Sequence, residues 1–368
     1  MRVLCCANHF NTGGITSYLM TLAKGLLKRG HRVVLVSSGG NVVPEAEALG
    51  VKVMLTPFKM KSELHPLLFL DVPRLARIVR EEKIDIIHAH TRASAMSAMI
   101  AGALTGVPYV TTCHGFFKPH VGRKILPLWG KAVIAISAPI AKHLATDMGV
   151  DKKQIFLVPN GIDPERFVPA DDITRANIRR EFGLGKEPSL GIIARLSDVK
   201  GHGWLLQAMP DILKTFPDTR LFILGEGPME ALLKKDVSRL GIEKSVVFRS
   251  TVQKTADVLP AFDVFVMPSL SEGLGLSVME AQAMGIPVVA TKVGGLIDAV
   301  KDGETGILVP AKDPEALAKA VVRLLADRAL AKRMGEAGRI FMMNNFSADT
   351  MTEGTLGMYQ KVLAFNSK

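Results

Sequence analysis

The residues whose types and spacing could do chemistry are concentrated in Ser269-Leu270-Ser271-Glu272-Gly273-Leu274-Gly275-Leu276-Ser277-Val278-Met279-Glu280-Ala281. The apolar run ending at Met267-Pro268 reads as a buried strand. The glycines after it read as a loop, and a helix is expected to open near Gly275. Unpaired backbone N–H groups at such a helix start, together with the helix dipole, suit a diphosphate. Glu272, in the loop, can accept hydrogen bonds from sugar hydroxyls, and Glu280, at most two turns deeper, can bind ribose hydroxyls. Either glutamate alone reads more readily as a solvated charge. The pair together with the loop glycines is specific.

A second cluster is Gly191-Ile192-Ile193-Ala194-Arg195-Leu196-Ser197-Asp198-Val199-Lys200-Gly201. A buried strand would deliver Arg195 to its carboxyl end, with Lys200 in the loop beyond. Two fixed cations there would neutralise charge on a departing diphosphate, whereas singly each reads as a surface residue. The glycine loops Asn11-Thr12-Gly13-Gly14-Ile15 and Leu224-Gly225-Glu226-Gly227-Pro228 also follow expected strands and allow close backbone approach to phosphate. Neither is a Gly-x-Gly-x-x-Gly fingerprint or a Walker motif. His114, at the end of the strand Val110-Thr111-Thr112-Cys113, precedes Gly115 and is a candidate ligand contact. His88 and His90 share one face of another strand end. With Cys113 they could suggest a metal, but ligand-type spacing and a second Cys/His pair are missing, so His88 reads as a core or supporting histidine. The Asp-x-Asp carboxylates that would chelate a divalent ion on a diphosphate are absent from the sequence. Charge neutralisation then falls to Arg195, Lys200 and helix dipoles, and neither a metal nor another cofactor is expected.

These residues require strands that end where loops can carry them. Val33–Val36, Ile84–His88, Val133–Ile136, Leu190–Ala194, Leu221–Leu224, Val246–Phe248, Val264–Val266 and Val288–Ala290 read as buried parallel strands. Amphipathic stretches such as Ile15–Arg29, Val72–Glu82 and Ala316–Leu325 alternate with them, which is the pattern of doubly wound α/β sheets. The turn-rich Val158-Pro159-Asn160-Gly161-Ile162-Asp163-Pro164 ends the first series. We therefore expect Rossmann-like domains at 1–165 and 166–345 facing across a cleft, with a C-terminal helix at 346–368 packing back on the first.

The chain has 368 residues, 48% hydrophobic and 22% charged, which excludes extensive disorder and favours two cores over one. Its three cysteines form no disulfide framework, and its N-terminus turns polar at Asn8, before a signal-type apolar region is long enough. The low-charge run Ala93–Val107 is shorter than the roughly 18 residues a membrane span requires. Of the net charge of +11, residues 1–165 carry +9, from 20 Lys and Arg against 11 Asp and Glu. That basic half suits an anionic partner, whether a phosphorylated acceptor, an anionic lipid surface or nucleic acid, or serves simply as a solubilising surface. The segment from Phe116 to Lys131 interleaves aromatics with cations and could rest on an anionic bilayer, hold a phosphorylated acceptor, or pack inward. A cytoplasmic protein, peripheral on the inner membrane face, is the expectation.

Taken together, the motifs resemble retaining glycosyltransferase family 4, of GT-B architecture, over nearly the whole chain. The likeness is tightest from Leu190 to Val309, where Arg195…Lys200-Gly201, Gly225-Glu226-Gly227-Pro228, the Glu-x7-Glu pair Glu272 and Glu280, Gly285-Ile286-Pro287-Val288 and Gly294-Gly295 fall in family order. The resemblance implies that Arg195 and Lys200 bind the donor diphosphate, Glu280 the ribose and Glu272 the donor-sugar hydroxyls. It also implies that Gly275 and the N–H groups of Leu276 and Ser277 lie near the phosphates, that Val252 contacts the base, that Gly13 and Gly14 face the diphosphate from the first domain, and that His114 sits beside the transferred sugar. The implied reaction retains anomeric configuration without a metal. It uses a UDP- or GDP-sugar, UDP favoured, and a glycan or lipid-linked acceptor of lipopolysaccharide or other cell-envelope synthesis; nucleic acid is not an expected partner. Two departures bear on specificity: Phe248-Arg249-Ser250 replaces the usual Phe-x-Gly near the base, and the first domain follows the family only in outline. A sugar-nucleotide 2-epimerase of the same fold and a non-catalytic basic binding module are the competing readings.

Overall fold

The computed structural model describes residues 1–56, 68–119, 122–123 and 126–366. The chain divides into two compact units, one of Met1–Gly161 with Ala348–Lys368, the other of Ile162–Ser347.

The first unit is built on seven parallel strands: β1 (Arg2–Cys6), β2 (Arg32–Ser37), β3 (Lys52–Leu55), β4 (Ile86–Ala89), β5 (Tyr109–Cys113), β6 (Val133–Ala135) and β7 (Ile155–Leu157), in the order β3-β2-β1-β4-β5-β6-β7. The order reverses between β1 and β4, so the connections leaving those strands part there and open a crevice at their carboxyl ends. The central strands are buried along nearly their whole length, as expected where helices cover both sides of a parallel sheet. The low-charge run is one of these covers. It forms the helix Arg92–Thr105, capped by the Thr91 and Ser94 hydroxyls, and its small Ala, Ser and Gly residues pack flat against the sheet. Among the described residues, no helix is long and apolar enough to cross a membrane.

The second unit repeats the plan with six parallel strands: β8 (Ser189–Ile193), β9 (Arg220–Leu224), β10 (Val246–Arg249), β11 (Val264–Met267), β12 (Val288–Thr291) and β13 (Gly306–Val309), in the order β10-β9-β8-β11-β12-β13. Its reversal lies between β8 and β11. The amino ends of that strand pair are held by Arg179, whose guanidinium donates to the carbonyls of Gly185, Glu187 and Ala261 and pairs with Asp263 at 3.2 Å. Gly191 is required within β8 because a Cβ there would stand 2.2 Å from the Phe262 ring. Phe262 in turn packs on Phe182 and Phe222, with centroids 5.9 and 6.0 Å away.

Strands β3, β7 and β13 are absent from the sequence reading. All three are edges of three or four residues, too short for a period-2 pattern to stand out. The tail beyond Pro310 is helical, as Pro314–Ala326 and Arg328–Asn345 in the second unit and Ala348–Asn366 in the first.

Candidate active site

In the second unit, β8 and β11 are neighbours, and their carboxyl ends carry the two motif clusters. After β8 the chain makes a single turn of 3-10 helix, Asp198–Lys200, closed by Gly201 in the left-handed conformation at φ 71°. Gly201 lies so close to the β11 exit that a Cβ there would stand 1.9 Å from the Pro268 carbonyl oxygen. The two loops are also joined by the Leu270 N–H, which donates to the Val199 carbonyl at 2.7 Å. This packing brings Lys200 to Glu272. Its Nζ donates to Oε2 at 2.6 Å, and the Ser269 hydroxyl donates to the same oxygen at 3.2 Å. Arg195 stands exposed at the end of β8, and among the described residues its side chain meets no hydrogen-bond acceptor.

Beyond Glu272 the chain reaches Gly275, left-handed at φ 87°, which starts the helix Leu276–Ala283. The N–H groups of Leu276 and Ser277 occupy the first two helical positions, where no intrahelical acceptor exists. Gly295 braces this loop from behind. Its N–H donates to the Glu272 carbonyl at 2.9 Å, and a Cβ on it would stand 2.1 Å from the Gly273 oxygen.

Glu280 lies on the second turn of that helix and is 5% exposed. Burial pushes its pKa up to about 7, against the opposing pull of the Thr255 hydroxyl and the Arg166 guanidinium. Arg166 also donates to the Gln253 carbonyl at 3.4 Å, and the Thr251 N–H donates to Glu226 Oε1 at the same distance. Half-buried Val252 is therefore held between two anchored neighbours. The Gly225–Gly227 loop completes this rim, since a Cβ at Gly227 would stand 2.2 Å from the Leu196 oxygen. Arg249, one of the two departures from the family pattern, stacks its guanidinium on the Phe182 ring at 4.4 Å.

The remaining expected residues belong to the first unit. Gly13 and Gly14 open the helix Gly14–Lys28, and among the described residues a Cβ at Gly14 would meet nothing within 4 Å. Protein packing therefore leaves that direction free for a ligand. The preceding turn is held by Asn41, which accepts from the Thr12 N–H at 2.9 Å and donates to the Thr12 hydroxyl at 2.9 Å. His114 follows β5, and burial pushes its pKa down to about 3. His90 contacts its Nε2 at 3.2 Å, and Tyr18 meets it edge-on with centroids 5.0 Å apart. His88 is a buried core histidine held by Tyr359 and Thr112. Among the described residues, no three His, Cys, Asp or Glu side chains form a metal-ligating group.

Four expected residues of the aromatic and basic loop, His120, Val121, Lys124 and Ile125, lie outside the described residues. Of the remainder, Phe117 donates its N–H to His143 at 3.2 Å, Arg123 covers the Phe117 ring at 4.7 Å, and Leu128 is buried. These groups turn onto the protein, and Phe116 remains exposed at 38%.

Sequence reading did not single out Arg166 or Thr255, nor Tyr18 and Tyr359. Each acts across the fold and carries no local motif. Gly201 and Gly295 stand in the quoted motifs, and their role as points of close contact becomes visible only when the second strand of each pair is in place.

Comparison with known proteins agrees with this geometry. Residues 187–327 match the family model described as Glycosyl transferases group 1, and residues 12–166 match Glycosyltransferase Family 4. The GDP-mannose-dependent alpha-(1-6)-phosphatidylinositol monomannoside mannosyltransferase of Mycolicibacterium smegmatis is 33% identical over 361 residues, covering 91% of each chain. The D-inositol 3-phosphate glycosyltransferase of Acidothermus cellulolyticus is 30% identical over 397 residues, covering 96% of this chain and 87% of that one. In fold, the chain matches a glycosyltransferase from Rickettsia africae with a TM-score of 0.86 at 24% identity, 98% of each chain covered.

Proposed function

This chain belongs to glycosyltransferase family 4, of the group 1 glycosyltransferases, and from that premise we propose that it moves a hexosyl group from a nucleoside-diphosphate sugar to an acceptor bearing a phosphorylated polyol. The observation that carries the reading is the meeting of the Lys200–Glu272 pair with the free N–H groups of Leu276 and Ser277, at the carboxyl ends of β8 and β11.

In this reading the donor diphosphate lies over the start of the helix Leu276–Ala283, and Arg195 and Lys200 spread the charge that grows as it leaves. Lys200 has three donors, so it can turn one to phosphate while still holding Glu272. Glu272 then orients the sugar through a hydroxyl. Glu280 takes the ribose hydroxyls, and Val252, with Gly227 behind it, borders the base. Gly13 and Gly14 are read as diphosphate contacts and His114 as a contact of the transferred sugar. The new bond forms between the acceptor oxygen and the anomeric carbon as the bond to the phosphate oxygen breaks. That oxygen accepts the acceptor's proton, and attack on the face it leaves retains configuration. Fixed cations and backbone dipoles supply the charge stabilisation, so transfer should persist in EDTA.

Relatives named for GDP-mannose and for phosphorylated inositol, together with the net +9 of residues 1–165, support GDP-mannose ahead of the UDP-sugar favoured by sequence alone, and a phosphorylated acceptor. Peripheral contact with anionic lipid through 116–131 belongs to the same reading and predicts co-sedimentation with phosphatidylinositol vesicles.

A thermal-shift series with GDP-mannose, UDP-glucose and ADP-glucose tests the donor, since a ligand at 100 times its Kd stabilises by about 2.7 kcal/mol. Transfer assays then offer phosphatidylinositol, inositol phosphate and lipopolysaccharide core as acceptors. Stabilisation by no nucleotide sugar, or transfer to none of these acceptors, would sink the proposal.

A further inference from the structure

The helix Ala348–Asn366 leaves the second unit's chain and packs in the first, where Thr352, Thr355 and Tyr359 are fully buried. Thr352 fits into the notch left by Gly25 on the helix Gly14–Lys28; a Cβ there would stand 2.1 Å from its hydroxyl. Tyr359 reaches further in, its phenol oxygen 2.6 Å from His88 Nδ1. His88 Nε2 lies 2.7 Å from the Thr112 hydroxyl, which lies 3.5 Å from the Tyr18 phenol. Thr355, one turn before Tyr359 on the same helix, donates to the Met351 carbonyl at 2.8 Å.

One direction of donation satisfies this path. Tyr359 donates to His88 Nδ1, His88 Nε2–H to Thr112, and Thr112 to Tyr18. The opposite tautomer of His88 would leave the Tyr359 hydroxyl hydrogen buried without an acceptor, a cost of about 1–3 kcal/mol. The path thus begins on the C-terminal helix, and it passes through both strands that carry the histidines.

His88 stacks on His90 with centroids 4.1 Å apart, and His90 Nδ1 lies 3.2 Å from His114 Nε2. Among the described residues, His90 Nε2 is buried without a partner. An unmatched lone pair is more readily tolerated there than an unmatched N–H. The hydrogen therefore sits on His90 Nδ1 and donates to His114, leaving His114 its own hydrogen on Nδ1. Tyr18, held by Thr112, meets the other side of the His114 ring edge-on.

We propose that Tyr359 is a positioning residue: the C-terminal helix fixes the ring orientation of His114 through His88, Thr112, Tyr18 and His90. The inference rests on the reading of His114 as a contact of the transferred sugar.

Tyr359→Phe tests it, because one hydroxyl is removed and the ring is kept. The expected result is a fall in kcat of about 10-fold, with KM for the nucleotide sugar unchanged, as one orienting hydrogen bond is lost. Imidazole nitrogen NMR should show His88 Nδ1 losing its hydrogen-bonded signature. In a His114→Ala background the same change should have no further effect on kcat. Equal losses in both backgrounds would overturn the positioning role while leaving the reading of His114 intact. Should His114→Ala itself leave kcat unchanged, that reading fails and the proposal with it. Thr112→Val breaks the same path one link on, so the test does not depend on Tyr359→Phe folding. It should lower kcat by a similar factor that Thr112→Ser recovers, and an unchanged kcat in Thr112→Val would also overturn the proposal.

Discussion

The two units share a strand order about their first strand yet load the ends of their central strands in opposite ways. Beyond β8 and β11 stand Arg195, Lys200 and Glu272, with Glu280 a turn below. At the ends of β4 and β5 stand three histidines, His88 on β4 itself, with burial pushing His88 and His114 down to about 3 and His90 well below its ordinary value, so that end carries no formal charge at neutral pH. The same backbone plan therefore offers a crevice at the same place, and side-chain chemistry decides its use. A charged pair near solvent can change partner when a phosphate arrives. A neutral network packed largely inside its unit holds one arrangement, because breaking a buried link strands a polar group.

Lys200→Ala should break the contrast most visibly. Removing one fixed donor from a developing anion costs about 2.7–4 kcal/mol, a loss of roughly 10²–10³ in kcat. Steady-state transfer with saturating donor measures it, and near-normal turnover would remove the charged half of the comparison.

Glu280→Gln comes next and is read in stability. The carboxyl of Glu280 is raised from 4.5 to about 7, so between those values the folded protein holds a proton that the unfolded chain has released. Stability is therefore full below pH 4.5 and declines as pH rises through 7, by on the order of 3 kcal/mol for this group. The Gln variant should lose that decline and unfold at higher urea than the native chain at pH 8, but not at pH 4.5. Parallel pH profiles for the two proteins would show Glu280 to be charged when folded.

Gly201→Ala should follow. A left-handed backbone alone costs a residue with a Cβ about 1–2 kcal/mol, and the Pro268 carbonyl must also move. Melting temperature should fall and transfer should fall with it, because Lys200 rides on that turn. Retained activity would mean that the turn does not place Lys200.

Gly14→Ala is the smallest effect on the fold and the sharpest control. Among the described residues nothing lies within 4 Å of the added methyl, so stability should change by less than about 0.5 kcal/mol, while KM for the donor rises. An unchanged KM would remove Gly14 from the donor contacts.

Much of this arrangement was legible in the residues themselves. The buried strands announced themselves as apolar runs, and the Glu-x7-Glu spacing placed one glutamate in a loop and the other two turns into a helix. Edge strands β3, β7 and β13 were not legible, because three or four residues with one neighbour need little apolar pattern. The base-side rim was half legible. Val252 came from family resemblance, while Arg166 and Thr255, which face Glu280, have no motif of their own.

The amino-acid sequence by itself determined the doubly wound class, the family and the residue types available at each strand end, because those depend on short-range periodicity and turn chemistry. Tertiary structure alone decided which of them meet. Lys200 and Glu272 are 72 positions apart, and the crossovers that set β8 beside β11 bring them to 2.6 Å. Tyr359 and His88 are separated by 271 positions and touch because the last helix returns to the first unit. Hydrogen bonds and ion pairs act over a few ångströms in space whatever the distance along the chain, so the contacts that tune this site are a property of the fold.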